Sequence, residues 1–306
     1  MPPAPLTIDL KSWLLLILLA VLWGCSYFFV GLALRELPPL TVVLARVALA
    51  AAMIYPVFKW QGGSLPTTIR GWLPFTIMGL FNNIIPFSLI FASQLYISSG
   101  LASVLNATTP LFAVIVATAF REERLILRRV IGVLIGLVGV YVLRDPDHIQ
   151  SGVQIIGILF CLCAALSYGL ASLWGRRNFG NVPPLTTATC QLISSGIIMA
   201  VIASIVEQPW HLPMPSATTW AALLGLAALS TALGYILFFT ILKRVGPSNV
   251  QVVTLLMPVP AILLGVLVLG EPLALRDIAG ALVIAASLLV VDGRVVGWAK
   301  RRLTGA

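Results

Sequence analysis

The chain has 306 residues, of which 59% are hydrophobic and only 9% charged. A soluble domain carries about 25% charged residues, so lipid must be the main solvent here, and no stretch is left for a soluble catalytic domain. The net charge of +9 does not mark a nucleic-acid binder, because the basic residues sit in short loops between apolar runs, where they report topology.

In chain order, apolar runs predict helices at 12–33, 40–60, 70–92, 98–119, 129–144, 153–175, 184–206, 217–241, 248–269 and 276–297. About 20 residues cross roughly 30 Å of hydrocarbon, so ten spans and short loops consume the chain. The first run has no basic cluster before it and no small-residue cleavage site after it, and reads as a retained helix. Pro38-Pro39, Gly62-Gly63, Asp145-Pro146, Pro183-Pro184 and Gly246-Pro247 punctuate the loops. The expected fold class is an all-α integral membrane bundle of ten transmembrane helices.

The basic residues alternate between the two sides of this map. With a cytoplasmic N-terminus, the inside segments hold Lys11, Lys59, Arg70, Arg121, Arg124, Arg128, Arg129, Arg176, Arg177, Lys243, Arg244, Arg294, Lys300, Arg301 and Arg302. The outside segments hold only Arg35, Arg144 and Arg276, and Arg46 falls inside a span. This bias predicts both termini on the cytoplasmic side of a bacterial-type inner membrane, with lipid as the surrounding partner. Trp13, Trp60, Trp72, Trp174, Trp210, Trp220 and Trp298 lie near predicted helix ends, at headgroup level, whereas Trp23 is mid-helix.

The halves repeat each other. Pro38-Pro39-Leu40-Thr41 recurs as Pro183-Pro184-Leu185-Thr186, Ser26-Tyr27 as Ser167-Tyr168, and Pro110 as Pro258. Glu123, Leu125, Arg128 and Gly132 match Glu271, Leu273, Arg276 and Gly280 at one constant offset. Five is an odd number of crossings, so residues 1–148 and 149–306 are expected as two inverted five-helix repeats, a design common among secondary transporters.

The sequence resembles the drug/metabolite transporter superfamily, specifically its EamA-type members. Trp23-Gly24 through Gly31, Pro38-Pro39 followed by Arg46, and Gly270-Glu271 to Gly280 carry the likeness, which spans essentially the whole chain. The resemblance implies movement of metabolites such as amino acids and their derivatives. It also implies a central cavity lined by helices one, three, four, six, eight and nine, with helices five and ten peripheral. The first-helix glutamate of the small multidrug efflux relatives is missing here.

The acidic residues Asp9, Glu36, Glu122, Glu123, Asp145, Asp147, Glu207, Glu271, Asp277 and Asp292 all fall outside the middle of the spans, and His148 and His211 are in loops. The membrane core therefore offers no obvious proton carrier. Arg46 has two open readings: it snorkels or pairs with outer carbonyls or Glu36, or it meets a substrate carboxylate. Its repeat counterpart is the uncharged Gln191. Asn82 and Asn83 cannot both face lipid cheaply, so at least one faces inward. With Trp23, Tyr27, Asn106, Thr109, Tyr168, Ser230, Tyr235 and Gln251, these form the expected substrate cavity. Thr108, Thr231 and Thr254 are further polar groups in the same spans.

Pro110 and Pro258 each remove a helix hydrogen bond and read as paired hinges or as static curvature. Gly132 and Gly136 read as a packing face or a dimer seam, so the chain is expected as a monomer or homodimer. Cys25, Cys161, Cys163 and Cys190 read as buried thiols, with Cys161 and Cys163 on different helix faces. No metal or cofactor is expected.

The function these readings favour is a secondary transporter, most simply an exporter, moving small metabolites by alternating access. An intramembrane enzyme lacks a nucleophile–base pair, a non-transporting scaffold or sensor leaves the repeat unexplained, and nucleotide-sugar or sugar-phosphate exchange would want more cations than Arg46 alone.

Overall fold

The structure is a computed structural model that describes residues 9–122, 127–143, 153–245, 250 and 252–292. It is built from helices: α1 (Leu10–Ala33), α2 (Pro39–Trp60), α3 (Ile69–Ser93), α4 (Ser99–Ala119) and α5 (Leu127–Val142) in the first half. In the second half are α6 (Val153–Asn178), α7 (Pro184–Val206), α8 (Ala217–Val245), α9 (Val252–Leu269) and α10 (Leu275–Asp292).

Local chemistry sets where these helices begin. Asp9, Thr68, Ser98 and Ser216 accept from the backbone N–H groups of Ser12, Gly71, Leu101 and Thr219, satisfying donors the first turn leaves free. α2 and α7 instead start at Pro39 and Pro184, where a missing N–H costs nothing.

Among the described residues, eight helices are long and apolar enough to cross a membrane: α1–α4 and α6–α9. The two remaining predicted spans depart from that standard for physical reasons. α5 has 16 residues, or about 24 Å at ~1.5 Å per residue against roughly 30 Å of hydrocarbon. α10 carries Arg276 and Asp277 in its first turn and ends at Asp292. The predicted boundary between the halves, at 148/149, lies outside the described residues.

The interior and exterior have exchanged the roles they hold in a soluble protein. Leu14, Ile17, Leu18 and Val21 of α1 are exposed, whereas Asn83, Thr189, Ser195 and Ser287 are fully buried. Lipid offers the outer leucines an apolar solvent but offers inner polar groups no hydrogen bonds, so Asn83 of α3 donates to Ser195 of α7 and Ser287 bonds back to its own helix at Ile284. Cys161 is buried and Cys163 exposed. They do face different ways, but Cys163 is not the buried thiol expected, because the outward face of α6 meets lipid.

The packing mirrors itself between halves. α1 packs on α8 and α9 while α6 packs on α3 and α4; α2 meets α7, and α5 meets α10. Polar contacts sort the helix ends onto two faces. On one, Asp9 pairs with Arg244 and Glu122 with Arg177 and Arg176. On the other, Glu36 accepts from Ser216, Glu207 from Leu40 and Thr41, and Glu271 from Ser99. Each contact joins one half of the chain to the other. α4 ends beside Arg177, where α6 also ends, so α6 starts on the opposite face.

α5 and α10 form the most extensive helix pair, at the edge of the bundle, and meet the rest mainly through α4. They run antiparallel: Gly132 faces Val291, Gly136 faces Ser287, and Gly139 faces Ile284 and Gly280. A Cβ on Gly139 would stand 3.1 Å from the Ile284 backbone N and 3.2 Å from the Gly280 carbonyl O. Only glycine lets two backbones approach this closely. The glycine face is thus filled from within the chain and is not free as a dimer seam.

Gly139→Leu should overpack this seam and destabilise the protein by about 1–3 kcal/mol, read as a lower melting temperature in detergent. Gly180→Ala, with open space around it, should melt like the parent. A second expectation concerns Glu36, whose carboxyl is held below its usual 4.5 by hydrogen bonds from the Ser216 hydroxyl and N–H. A depressed carboxyl stabilises the fold above its free value and loses that contribution as pH falls through its folded pKa. Melting curves should therefore separate Glu36→Gln from the parent at neutral pH and converge below about pH 4.5.

Candidate substrate cavity

Two widened turns shape the middle of the bundle. α3 passes through a π-helical turn at Leu80–Ile84 and α8 through one at Leu226–Leu233. Shifting the first by 148 residues, the offset between Pro110 and Pro258, lands it at 228–232, inside the second. Such turns insert extra residues and re-aim side chains, and they recur at functional sites. Here they carry Asn82 and Asn83 in one half and Ser230 and Thr231 in the other.

Each π turn is met by a polar residue of the opposite half. Arg46 of α2 donates from Nε to Thr231 Oγ1 at 3.0 Å. Gln191 of α7, its repeat counterpart, accepts from Asn82 Nδ2 at 3.2 Å. Tyr235 joins the two asparagines: its hydroxyl accepts from Asn82 Nδ2 (3.1 Å) and donates to Asn83 Oδ1 (2.9 Å). Asn83 Nδ2 in turn donates to Ser195 Oγ at 3.1 Å. Ser230 Oγ donates to the Leu22 carbonyl of α1 at 2.6 Å, tying α8 to α1.

α4 and α9 are interrupted at matching places. α4 stops at Asn106 and restarts at Thr109, and α9 stops at Leu256 and restarts at Pro258. Pro110 and Pro258 stand in the first turn of each restarted segment. Thr108 and Thr109 donate back to the carbonyls of Leu105 and Asn106, covering acceptors the break would orphan.

Between these elements lies a cavity of about 200 Å³. Arg46 is the only charged residue on its described wall. The guanidinium is 7% exposed and lies over the Phe87 ring, 3.8 Å from the centroid, with Phe91 at 5.7 Å. Ring stacking compensates part of the cost of a cation in this setting and leaves the in-plane N–H groups to point elsewhere. Trp23 stacks on Phe238 at 5.5 Å, and its indole rests against Gly234, where a Cβ would stand 2.7 Å from Nε1. Toward the face of Glu36, Glu207 and Glu271, the wall is sealed by buried Val30, Ile90 and Phe91. Toward the other face, Ser172 is exposed and Phe238 and Thr254 partly so, which places the opening there.

A family model described as the EamA-like transporter family matches twice, over residues 10–144 and 155–291. The chain belongs to the EamA-like transporter family. Curated relatives align along nearly their whole length. An uncharacterized transporter of Archaeoglobus fulgidus is 24% identical, covering 92% of this chain and 99% of its own. The uncharacterized inner membrane transporter YedA of Escherichia coli K12 is 25% identical over 92% and 91%. A probable amino-acid metabolite efflux pump of Salmonella typhimurium is 26% identical over 95% and 97%. A solved crystal structure shares the fold with a TM-score of 0.63 at 19% identity, covering 92% of this chain and 97% of its own. Family and relatives together make this multi-pass membrane protein a small-molecule transporter, and transporters are not enzymes.

Within this EamA-type fold, the structure brings Trp23, Tyr27, Arg46, Asn82, Asn106, Thr109, Tyr168, Ser230 and Tyr235 onto one wall. Asn83 is not on it: the residue is fully buried behind the wall, holding Ser195 and Tyr235. Gln251 lies outside the described residues. Arg46 does not pair with Glu36, whose oxygens are taken by Ser216; it turns inward, so α2 joins the wall that the resemblance assigned to other helices. Phe87, Ile90 and Phe91 of α3, and Gln94 just past its end, are additional wall residues. They fall at helical spacing with one another, but the π turn adds a residue between them and Asn82, so an uninterrupted 3.6-residue period misaligns the two groups. None of Asp9, Glu36, Glu122, Glu207, Glu271 or Asp277 reaches the cavity; each holds a helix end or a loop.

In a background with all four native cysteines replaced by alanine, Ser172→Cys should react with a membrane-impermeant thiol reagent. Val30→Cys, on the sealed side, should react at least tenfold more slowly. Equal rates would show that the opening is misplaced.

Proposed function

We propose that this protein is a secondary transporter that moves small metabolites, amino acids or their derivatives, out of the cell by alternating access. On this reading, α5 and α10 also cross the bilayer, giving ten spans in two inverted five-helix repeats, with both termini cytoplasmic. The observation that carries it is the cavity itself, built where the halves interlock and lined by an apolar aromatic wall with few polar groups and one buried cation. Pockets of that character suit small amphipathic solutes. The basic face of Arg176, Arg177 and Arg244 is then cytoplasmic, and the cavity as described opens inward. Rocking about the interrupted helices at Pro110 and Pro258 would close that mouth and open the sealed side.

The exported class draws support from the Salmonella relative, which is named a probable amino-acid metabolite efflux pump. Phosphorylated sugars fit less well, since two or more charges would face Arg46 alone. Purified protein in proteoliposomes should give saturable flux for at least one member of an amino-acid and derivative panel. Tyr235→Phe, which removes the hydroxyl joining both asparagines, should reduce that flux several-fold while leaving the protein folded. Absence of saturable flux across a broad metabolite panel would overturn the reading in favour of a scaffold.

A further inference from the structure

We infer that the solute taken by this cavity is a monovalent carboxylate without a charged amine, and that its net passage carries one negative charge across the membrane. The inference rests on the transport reading above and adds to it the charge of the substrate and the force that drives it.

Arg46 is 7% exposed and pairs with no carboxylate among the described residues. One of its five N–H donors is taken, Nε by Thr231, while the ring below is Phe87. A buried cation in an apolar wall is stable only with a counter-charge or with hydrogen-bond acceptors. Among the described residues the terminal Nη pair has neither, and its fork matches the two oxygens of a carboxylate. A charged fork on the cavity wall without an acceptor among the described residues matches an anion.

The same wall disfavours an ammonium. It has no carboxylate among its described residues, and Arg46 repels a second cation. The faces of Trp23, Tyr168 and Phe238 offer cation–π contacts, which return less than a buried ammonium loses in hydration. They suit an apolar or aromatic body instead. An amino acid whose amine is acylated, or an aryl carboxylate, meets all these conditions; a free zwitterion does not.

The driving force follows from charge balance. No Asp, Glu or His stands on the described wall to exchange a proton for the solute. One anion in and out leaves the protein unchanged and moves one negative charge. A cell interior that is electrically negative pushes that charge outward, so export needs no proton carrier.

The test uses the full chain in proteoliposomes with a potassium gradient and valinomycin, and N-acetyl-L-phenylalanine and L-phenylalanine as probes. An interior-positive potential of 100 mV should drive N-acetyl-L-phenylalanine toward about 50-fold accumulation, the ratio set by ~2.3 kcal/mol per charge per 100 mV. Reversing the potential should abolish accumulation, and a pH gradient alone should not replace it. L-phenylalanine should enter at least tenfold more slowly. Arg46→Gln should lose potential-driven uptake. The wild-type response to potential decides the matter even if Arg46→Gln fails to fold. Uptake of L-phenylalanine that ignores the potential, or N-acetyl-L-phenylalanine uptake driven only by pH, overturns the inference and leaves the transport reading standing. So does saturable flux of other panel solutes with none for N-acetyl-L-phenylalanine. Loss of all saturable flux removes both.

Discussion

Hydrocarbon cannot hydrogen-bond, and every polar group in this bundle must therefore find its partner inside the protein. That constraint organises the structure. It turns the leucines of α1 outward and the amides of α3 inward. It makes Tyr235 a shared partner of Asn82 and Asn83, gives Ser230 the Leu22 carbonyl, and sets Arg46 between Thr231 and Phe87. A soluble protein of this composition could leave such groups to water. Here the polar groups on the cavity wall are mostly tied to one another, and the Arg46 fork is turned toward the space they enclose.

The contacts that satisfy this constraint mostly run between halves. Arg46 reaches the π turn of α8 and Gln191 reaches that of α3, so the interior is formed by exchange and neither half can complete its own side. The same holds at the ends: Glu207 and Glu271 from the second half neutralise helix starts of the first. The α5–α10 pair stands apart from this exchange. Its glycine seam brings backbones together without polar side chains from the cavity helices, which suits a brace beside the parts that would have to move. The symmetry is broken in one place that matters: Arg46 is charged and Gln191 is not. Repeated helices thus surround a cavity with a single charge on its described wall.

Where sequence reading succeeded, the signal was one-dimensional. Helix ends followed apolar runs, capping residues and the Pro38-Pro39 and Pro183-Pro184 pairs. Arg46 stood out because a guanidinium in a span is costly wherever it points. Where it failed, the missing information was rotational. Asn82 and Asn83 are adjacent in sequence, yet one lines the cavity and the other lies behind it, because a π turn sets their directions. Gln94 and Phe87 were missed for the same reason. Glu36 is one partner the sequence offers Arg46, but Ser216, 180 positions from Glu36, takes that carboxylate.

Composition and periodicity by themselves determined that this chain lives in lipid, folds as a helical bundle, repeats itself and carries one cation within its spans. Those properties follow from the chain's local chemistry and from a solvent that tolerates only self-satisfied backbone. Only the tertiary structure decided which polar residues face the same space, which face of the bundle is sealed, and which donors are left without acceptors. These depend on the angle each helix presents to its neighbours, and that angle is set by contacts more than a hundred residues apart.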